Sequence, residues 1–322
     1  MLVAVEKLKA FLLARDYKDF ELQALSGDAS TRQYFRVHLP KTSLIAAVYP
    51  ESFDHTLPFC TTTKLYLSAG LPVPQILALD GQQGIVLQED LGDIRLQDWL
   101  EGRSQHEIFQ AYKQAIDLIT IIQSITDRAA DTLRGLAFDY EKLHWELDFF
   151  YKHYCESLRK CPLSDNARRA LYEEFHQIAS ALAARPKVLC HRDYHSRNLM
   201  MHKARLHIID HQDSRLGPKT YDLVSLLCDP YVALDKAQLC MLRNQYNDDF
   251  DEEEFELMTV QRLVKAIGTY SYQAGIRQNT VYLKYIPRAA SRVLSAANKL
   301  ERFPSLCALL FDEVEDEADI YT

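Results

Sequence analysis

The chain has no basic cluster. Its 37 Lys and Arg are outnumbered by 45 Asp and Glu, giving a formal net charge of −8, and they form no run, which argues against nucleic acid or an acidic membrane as partner. Its seven cysteines are odd in number and lack regular close spacing, so neither a disulfide framework nor a C-x-x-C zinc site is expected. Reduced, mostly buried thiols follow. No apolar run approaches about 18 residues, and the N-terminus sets Glu6, Lys7 and Lys9 among its apolar residues without a signal-peptide core; a cytoplasmic protein is expected, neither secreted nor membrane-spanning. Internal repeats, low-complexity linkers and heptads are missing too. What is abundant is core material, 48% hydrophobic residues over 322 positions, enough for one large domain or two lobes. A small-molecule partner is the expectation.

Against this background one stretch is dense in chemistry. Residues 188–200 read V-L-C-H-R-D-Y-H-S-R-N-L-M, and a second β-type run, 206–209, ends in Asp210. An apolar run delivers a polar loop, and the next strand delivers a carboxylate. The spacing H-R-D-x-x-x-x-N followed by Asp is that of a phosphoryl-transfer loop and its metal ligand. Such transfer is mostly positioning and charge neutralisation, so it needs hard oxygens for Mg²⁺ beside a carboxylate facing the nucleophile. Asp193 is the candidate catalytic carboxylate, Asn198 and Asp210 the candidate Mg²⁺ ligands, and Arg197 or Arg32 the cation that offsets phosphoryl charge.

In chain order, residues 2–15 predict an amphipathic helix. A small-residue turn containing Gly27, Ser30, Thr31 and Arg32 then feeds a strand expected to pair with 43–49 across the 39–42 turn. Backbone N–H groups near Gly27 and the hydroxyls of Ser30 and Thr31 suit phosphate oxygens. The strand 44–49, L-I-A-A-V-Y, aligned on V-A-I-K, places Val48 where a phosphate-binding Lys is expected, and Arg32, Arg36 and Lys64 are the candidate substitutes. A helix over 54–69 and two short strands, 75–79 and 84–88, lead to Glu89, Asp90, Leu91 and Gly92 as a lobe-joining hinge, where backbone groups near Glu89 and Leu91 would bond an adenine edge. The boundary divides 1–90, a nucleotide-binding lobe, from 91–322, a catalytic and acceptor lobe.

From there helices dominate, 108–125 most clearly. Residues 138–154 mix aromatics with carboxylates, and Trp145 and Glu146 suit either a core stripe or a sugar-binding wall. Asp213 has three readings: a metal-bound water, acceptor hydroxyls, or a turn cap. Asp222 is placed to hold the catalytic loop through backbone N–H groups. His195, His202, His207 and His211 alternate across a hairpin and lack ligand spacing. The acidic residues at 248–254 are expected at a helix N-terminus.

The segments 27–36, 191–200, 210–213, 217–227 and 282–288, including Arg288, resemble the aminoglycoside phosphotransferase/choline kinase superfamily, and most closely the anomeric kinases of N-acetylmuramate and N-acetylglucosamine. The resemblance spans nearly the whole chain. It implies an α+β, two-lobed protein-kinase-like fold with a small antiparallel-sheet N-lobe and a large, mainly helical C-lobe. It also implies use of ATP and Mg²⁺ to phosphorylate the C1 hydroxyl of an amino sugar in peptidoglycan recycling. By the same resemblance Asp213, Trp145, Glu146 and Arg288 are candidate acceptor contacts. An aminoglycoside or choline-type acceptor, or a nucleotide-binding pseudokinase, is the alternative.

Overall fold

The computed structural model describes residues 2–25, 32–54, 56–125, 136–246 and 251–314. It contains two compact units, Met1–Trp99 with Asn198–Asp213, and Leu100–Arg197 with Ser214–Thr322. The segment after the catalytic loop thus belongs with the N-terminal part of the chain, which a single cut at residue 90 does not express.

The first unit is a five-stranded antiparallel sheet in the order β1-β2-β3-β5-β4, with β1 Glu21–Leu25, β2 Gln33–His38, β3 Ser43–Val48, β4 Ile76–Asp80 and β5 Ile85–Glu89. Alternation along the strands gives it two apolar faces. Phe35, Val37, Leu44, Ala46, Val48, Ile85 and Leu87 pack with Leu8, Phe11 and Leu12 of helix α1 (Leu2–Leu13). Ala47 and Val86, on the opposite face, pack with Phe59 and Cys60 of helix α2 (Pro58–Ser68). Each large side chain so buried contributes roughly 1.5–3 kcal/mol.

This register corrects the expectation for β3. Val48 is 4% exposed in the apolar cluster under α1, where an ammonium would lose its hydration without a partner. The α2 side of the same strand carries Ala47, and Tyr49 follows it there. The unit is completed by a hairpin, Leu199–His202 paired with Arg205–Ile208. Its turn residues, Lys203 and Ala204, both have positive φ, 48° and 60°, as a two-residue type I′ connection requires. The backbone N–H groups of Met201 and Ile208 bond to the carbonyls of Ile94 and Pro72.

The second unit is mainly helical. Gln105–Gln123 starts with a capping box formed by Ser104 and Glu107, which satisfies two end N–H groups reciprocally. The helix Glu252–Gly275 is buried on most of its circumference, and its Gly268 lies so close to the Phe150 backbone that an added Cβ would sit 2.7 Å from that Cα. Asp251 accepts a hydrogen bond from the Glu254 N–H at the helix start, the place expected for this acidic segment, part of which (248–250) lies outside the described residues. Lys187–Cys190 pairs antiparallel with Arg215–Pro218. The chain's two β-type runs on either side of the catalytic loop therefore pair with other partners, not with each other. All seven cysteines are free thiols, and among the described residues no helix is long and apolar enough to cross a membrane.

Candidate active site

In the second unit, the strand Lys187–Cys190 ends at His191 and the chain turns sharply. Arg192 has a φ of 86°, a left-handed conformation that costs a side-chain-bearing residue about 1–3 kcal/mol and needs support. Asp222 supplies it, as its place in the sequence predicts: its buried carboxylate accepts the N–H groups of His191 at 2.6 Å and Arg192 at 3.0 Å. Burial pushes the Asp222 carboxyl up to about 6, against the pull of His191 and the two N–H bonds. Asp229, fully buried, accepts the N–H groups of Ser196 and Tyr231 at 2.9 and 2.8 Å. The Tyr194 hydroxyl donates to the Ala115 carbonyl at 2.9 Å. The loop is pinned at four points.

Asp193, carried by this loop, meets two cations from the helix Glu252–Gly275. Lys265 Nζ is 3.1 Å and Arg262 Nη2 3.3 Å from Oδ1, and Arg262 Nε also donates to the Ser225 hydroxyl at 3.0 Å. Burial alone would raise the Asp193 pKa, but Lys265, Arg262, Arg192 and His195 outweigh it and hold the carboxylate well below its ordinary range. A pocket of about 90 Å³ opens here, lined by Asp193, His195, Asp229, Tyr231, Lys265 and Tyr270 among others. His195, desolvated and beside Arg262, Lys265 and His191, titrates at about 3 despite Asp193, so it is neutral near pH 7. Next to the pocket Tyr270 stacks on Tyr282 at 5.7 Å, and Tyr231 meets Tyr285 edge-on at 4.7 Å. The Arg197 guanidinium lies 4.8 Å from the Tyr231 ring centroid and 5.8 Å from that of Tyr282.

The first unit holds the other oxygen donors. The Asn198 carbonyl accepts the Ile209 N–H at 3.0 Å, which brings the residues just outside the hairpin strands together. Asp210, exposed and with a φ of 62°, accepts the Gln212 side-chain amide at 2.7 Å. Behind it, His211 is fully buried between the rings of Phe59 and Tyr66, and its Nε2 is 2.7 Å from Thr63 Oγ1. Because the Thr63 hydroxyl donates to the Phe59 carbonyl, Nε2–H is the donor to Thr63. Helix α2 thus anchors the turn that carries Asp210.

Of the candidate substitutes for a strand Lys, Arg36 is committed elsewhere: it pairs with Asp90 and Asp93, each at 2.7 Å. Lys64 is exposed on α2. Arg32 lies over Tyr34 and Tyr49 and donates to the Tyr49 hydroxyl; burial opposes its charge, but these tyrosines and Asp210 outweigh that and raise its pKa. Gly27, Ser30 and Thr31 lie outside the described residues. At the expected hinge, the Glu89 N–H bonds to the Gln75 carbonyl and the Leu91 carbonyl accepts His202 Nδ1 at 3.0 Å, so these two groups serve the unit itself.

Asn198 and Asp210 are hard-oxygen donors of the kind Mg²⁺ takes in ones and twos, its coordination being completed by water and phosphate oxygens. Among the described residues no group of three or more His, Cys, Asp or Glu forms a metal cage. The donor set fits a nucleotide-bound Mg²⁺ better than a resident structural ion.

Trp145 and Glu146 do not share one surface. Trp145 is 53% exposed under the Lys142 ammonium, whereas its neighbour Glu146 is 1% exposed and accepts the Gln261 amide at 3.0 Å. Glu146 is a core acceptor, which revises its reading as a sugar contact. Arg288 donates to the Pro230 carbonyl at 3.0 Å, near the pocket-lining Tyr231. Asp213 is exposed in the first unit. Sequence reasoning did not single out Asp229, Arg262 or Lys265. Two cations at i and i+3 in the otherwise uncharged stretch 257–275 were the available signal.

Residues 21–257 match the family described as phosphotransferase enzyme family. The chain belongs to that family. This phosphotransferase is 28% identical to an N-acetylmuramate/N-acetylglucosamine kinase of Neisseria meningitidis serogroup B, over 93% of this chain and 92% of that protein. It is 31% identical to the enzyme of the same name from Pseudomonas putida, over 83% and 80%. Among solved structures, ADP-bound aminoglycoside phosphotransferase APH(2'')-Ib superposes with a TM-score of 0.62 at 14% identity, covering 91% of this chain and 98% of that one. The α+β, protein-kinase-like fold of this phosphotransferase is that of the superfamily.

Proposed function

We propose that this phosphotransferase is an ATP- and Mg²⁺-dependent cytoplasmic kinase of N-acetylmuramate and N-acetylglucosamine, which transfers phosphate to the C1 hydroxyl in peptidoglycan recycling. Residues 1–90, with the hinge at Leu91 and the segment Asn198–Asp213 that joins their unit, serve the nucleotide and its metal, and the rest of 91–322 serves catalysis and the acceptor. Asp193 orients the acceptor hydroxyl and takes its proton as the new O–P bond forms. Asn198 and Asp210 hold Mg²⁺, which when bound neutralises the phosphate oxygens. Arg32, with Gly27, Ser30 and Thr31, faces the phosphates, and the Glu89 carbonyl and Leu91 N–H take the adenine edge. Arg197 offsets charge on the transferring phosphoryl group, and Arg288 flanks the acceptor.

The observation that carries the acceptor class is the state of the carboxylates in the pocket. Asp193 is matched by Lys265 and Arg262, and Asp229 by two N–H groups. Both are already compensated, so a cationic amino alcohol gains little there, whereas a neutral or acidic sugar fits, its ring against the tyrosines. The names of the relatives point the same way. An acceptor panel with ³¹P NMR of the products tests this. A C1 phosphate on N-acetylmuramate is expected, while phosphate only on aminoglycosides or choline overturns it. Asp193→Asn is expected to lower kcat by roughly 10²–10⁴ with nucleotide binding retained by calorimetry.

A further inference from the structure

Lys265 lies on the helix Glu252–Gly275, 72 residues beyond Asp193, and no motif of the catalytic loop includes it. Its side chain is 15% exposed, it lines the same pocket as Asp193, and it approaches Oδ1 at 3.1 Å. Arg262 is differently placed: its Nε is bound to Ser225, which ties it to the neighbouring helix Tyr221–Leu227.

We propose that Lys265 is a positioning residue for phosphoryl transfer, fixing the charge and aim of Asp193 so that the carboxylate orients the acceptor hydroxyl and takes its proton only as the O–P bond forms. This rests on the reading of Asp193 as the acceptor-facing carboxylate, but not on the identity of the sugar. In the step itself the acceptor oxygen forms a bond to the terminal phosphorus, its proton passes to Asp193, and the bond from that phosphorus to the bridging oxygen breaks with its electron pair leaving on the nucleoside diphosphate. A carboxylate held strongly ionised does not remove a proton in advance. It accepts one when the hydroxyl loses electron density to phosphorus.

The groups that act on Asp193 are Lys265 and Arg262 from the long helix, Arg192 and His195 from its own loop, and Tyr221 and Asp222 from the helix Tyr221–Leu227. Removing Lys265 takes away the largest pull that keeps the Asp193 pKa low. The carboxylate then protonates at a higher pH, and activity on acidification is lost earlier.

The test compares wild type, Lys265→Met and Lys265→Arg with whichever acceptor the wild type phosphorylates, and follows carboxylates in the ¹³C NMR spectrum, with Asp193→Asn assigning the signal. Lys265→Met is expected to lower kcat about 10²-fold, leave KM for nucleotide within about threefold, and move both the acid limb of kcat and the Asp193 titration toward the ordinary value of about 3.9. Lys265→Arg is expected to restore part of kcat and the low titration. If kcat, acid limb and titration are unchanged in Lys265→Met, or if it lowers kcat only in step with lost folding and with no titration shift, the proposal is overturned. The NMR arm needs no turnover, so a wild type that phosphorylates nothing on the panel would sink the proposed function while still deciding the role of Lys265.

Discussion

Asp193 and Asn198 are five residues apart, yet the two regions that hold them are built on opposite plans. Around Asp193 the charges are paired and half-buried: two cations meet one carboxylate oxygen, and the loop's backbone N–H groups are bound by the buried carboxylates of Asp222 and Asp229. At the hairpin, Asp210 is exposed, held by the local turn and the Gln212 amide. A network of paired charges and bound N–H groups is set before any ligand arrives and costs no reorganisation during reaction. Exposed hard oxygens leave the coordination to be completed by an incoming nucleotide and water. On the proposed function, the acceptor side is rigid and the metal side is finished by its ligand.

Removal of the metal carboxylate tests that contrast most directly. Asp210→Ala is expected to cost about 10³-fold in kcat/KM, some 4 kcal/mol, because an ion held by few protein oxygens loses half of its anchors. The loss should ease at high Mg²⁺, and the acceptor KM should stay near wild type. A loss confined to the acceptor KM would break the division of labour. Next comes the ion clasp of the first unit. Asp90 and Arg36 are 4% and 11% exposed in their side chains and bonded at 2.7 Å, so Arg36→Met leaves a buried carboxylate with only its remaining donors. About 3 kcal/mol of stability is expected to go, read as a fall in the denaturant midpoint, with Asp90→Asn in the same chain recovering part. Burial disfavours the Asp90 charge, but the bonds from Ser43, Arg36 and the Gly92 N–H outweigh it and lower its pKa, so this stabilisation is present above the unfolded carboxylate pKa of about 3.9 and fades as pH falls below it. An unchanged midpoint would place the strength of this unit in its apolar faces alone.

Local spacing made much of this legible. H-R-D-x-x-x-x-N and the later Asp fixed the candidate chemistry, and Asp222 was placed correctly because one residue had to receive the amides of a sharp turn. Where the reading failed, the missing information was three-dimensional. Val48 looked like an absent Lys because alignment by spacing does not say which face of β3 is which, and a shift of one residue changes the face. Trp145 and Glu146 were read together, as core stripe or as sugar wall, but neighbours on a helix point about 100° apart, so one is exposed and the other buried. Lys265, Arg262 and His211 act through contacts with residues far away in the chain, which no local pattern encodes.

The smallest expected effect sharpens the rigid side of the comparison. If the tyrosines beside the pocket form the sugar's wall, Tyr282 is the one to remove, since it is half-buried rather than core and stacks on the buried Tyr270. Stacking of this kind is worth about 0.5–1.5 kcal/mol, so Tyr282→Ala is expected to raise KM for N-acetylmuramate roughly 2- to 10-fold, with kcat and the nucleotide KM little changed, and Tyr282→Phe should behave as wild type. A ring contributes through its face, which Phe keeps; a hydroxyl contact would fail in both variants. Because Tyr282 also lies under Arg197, a drop in kcat in place of the KM rise would mean that the ring matters by placing that guanidinium, and the rigid side would then include Arg197 as well as Asp193.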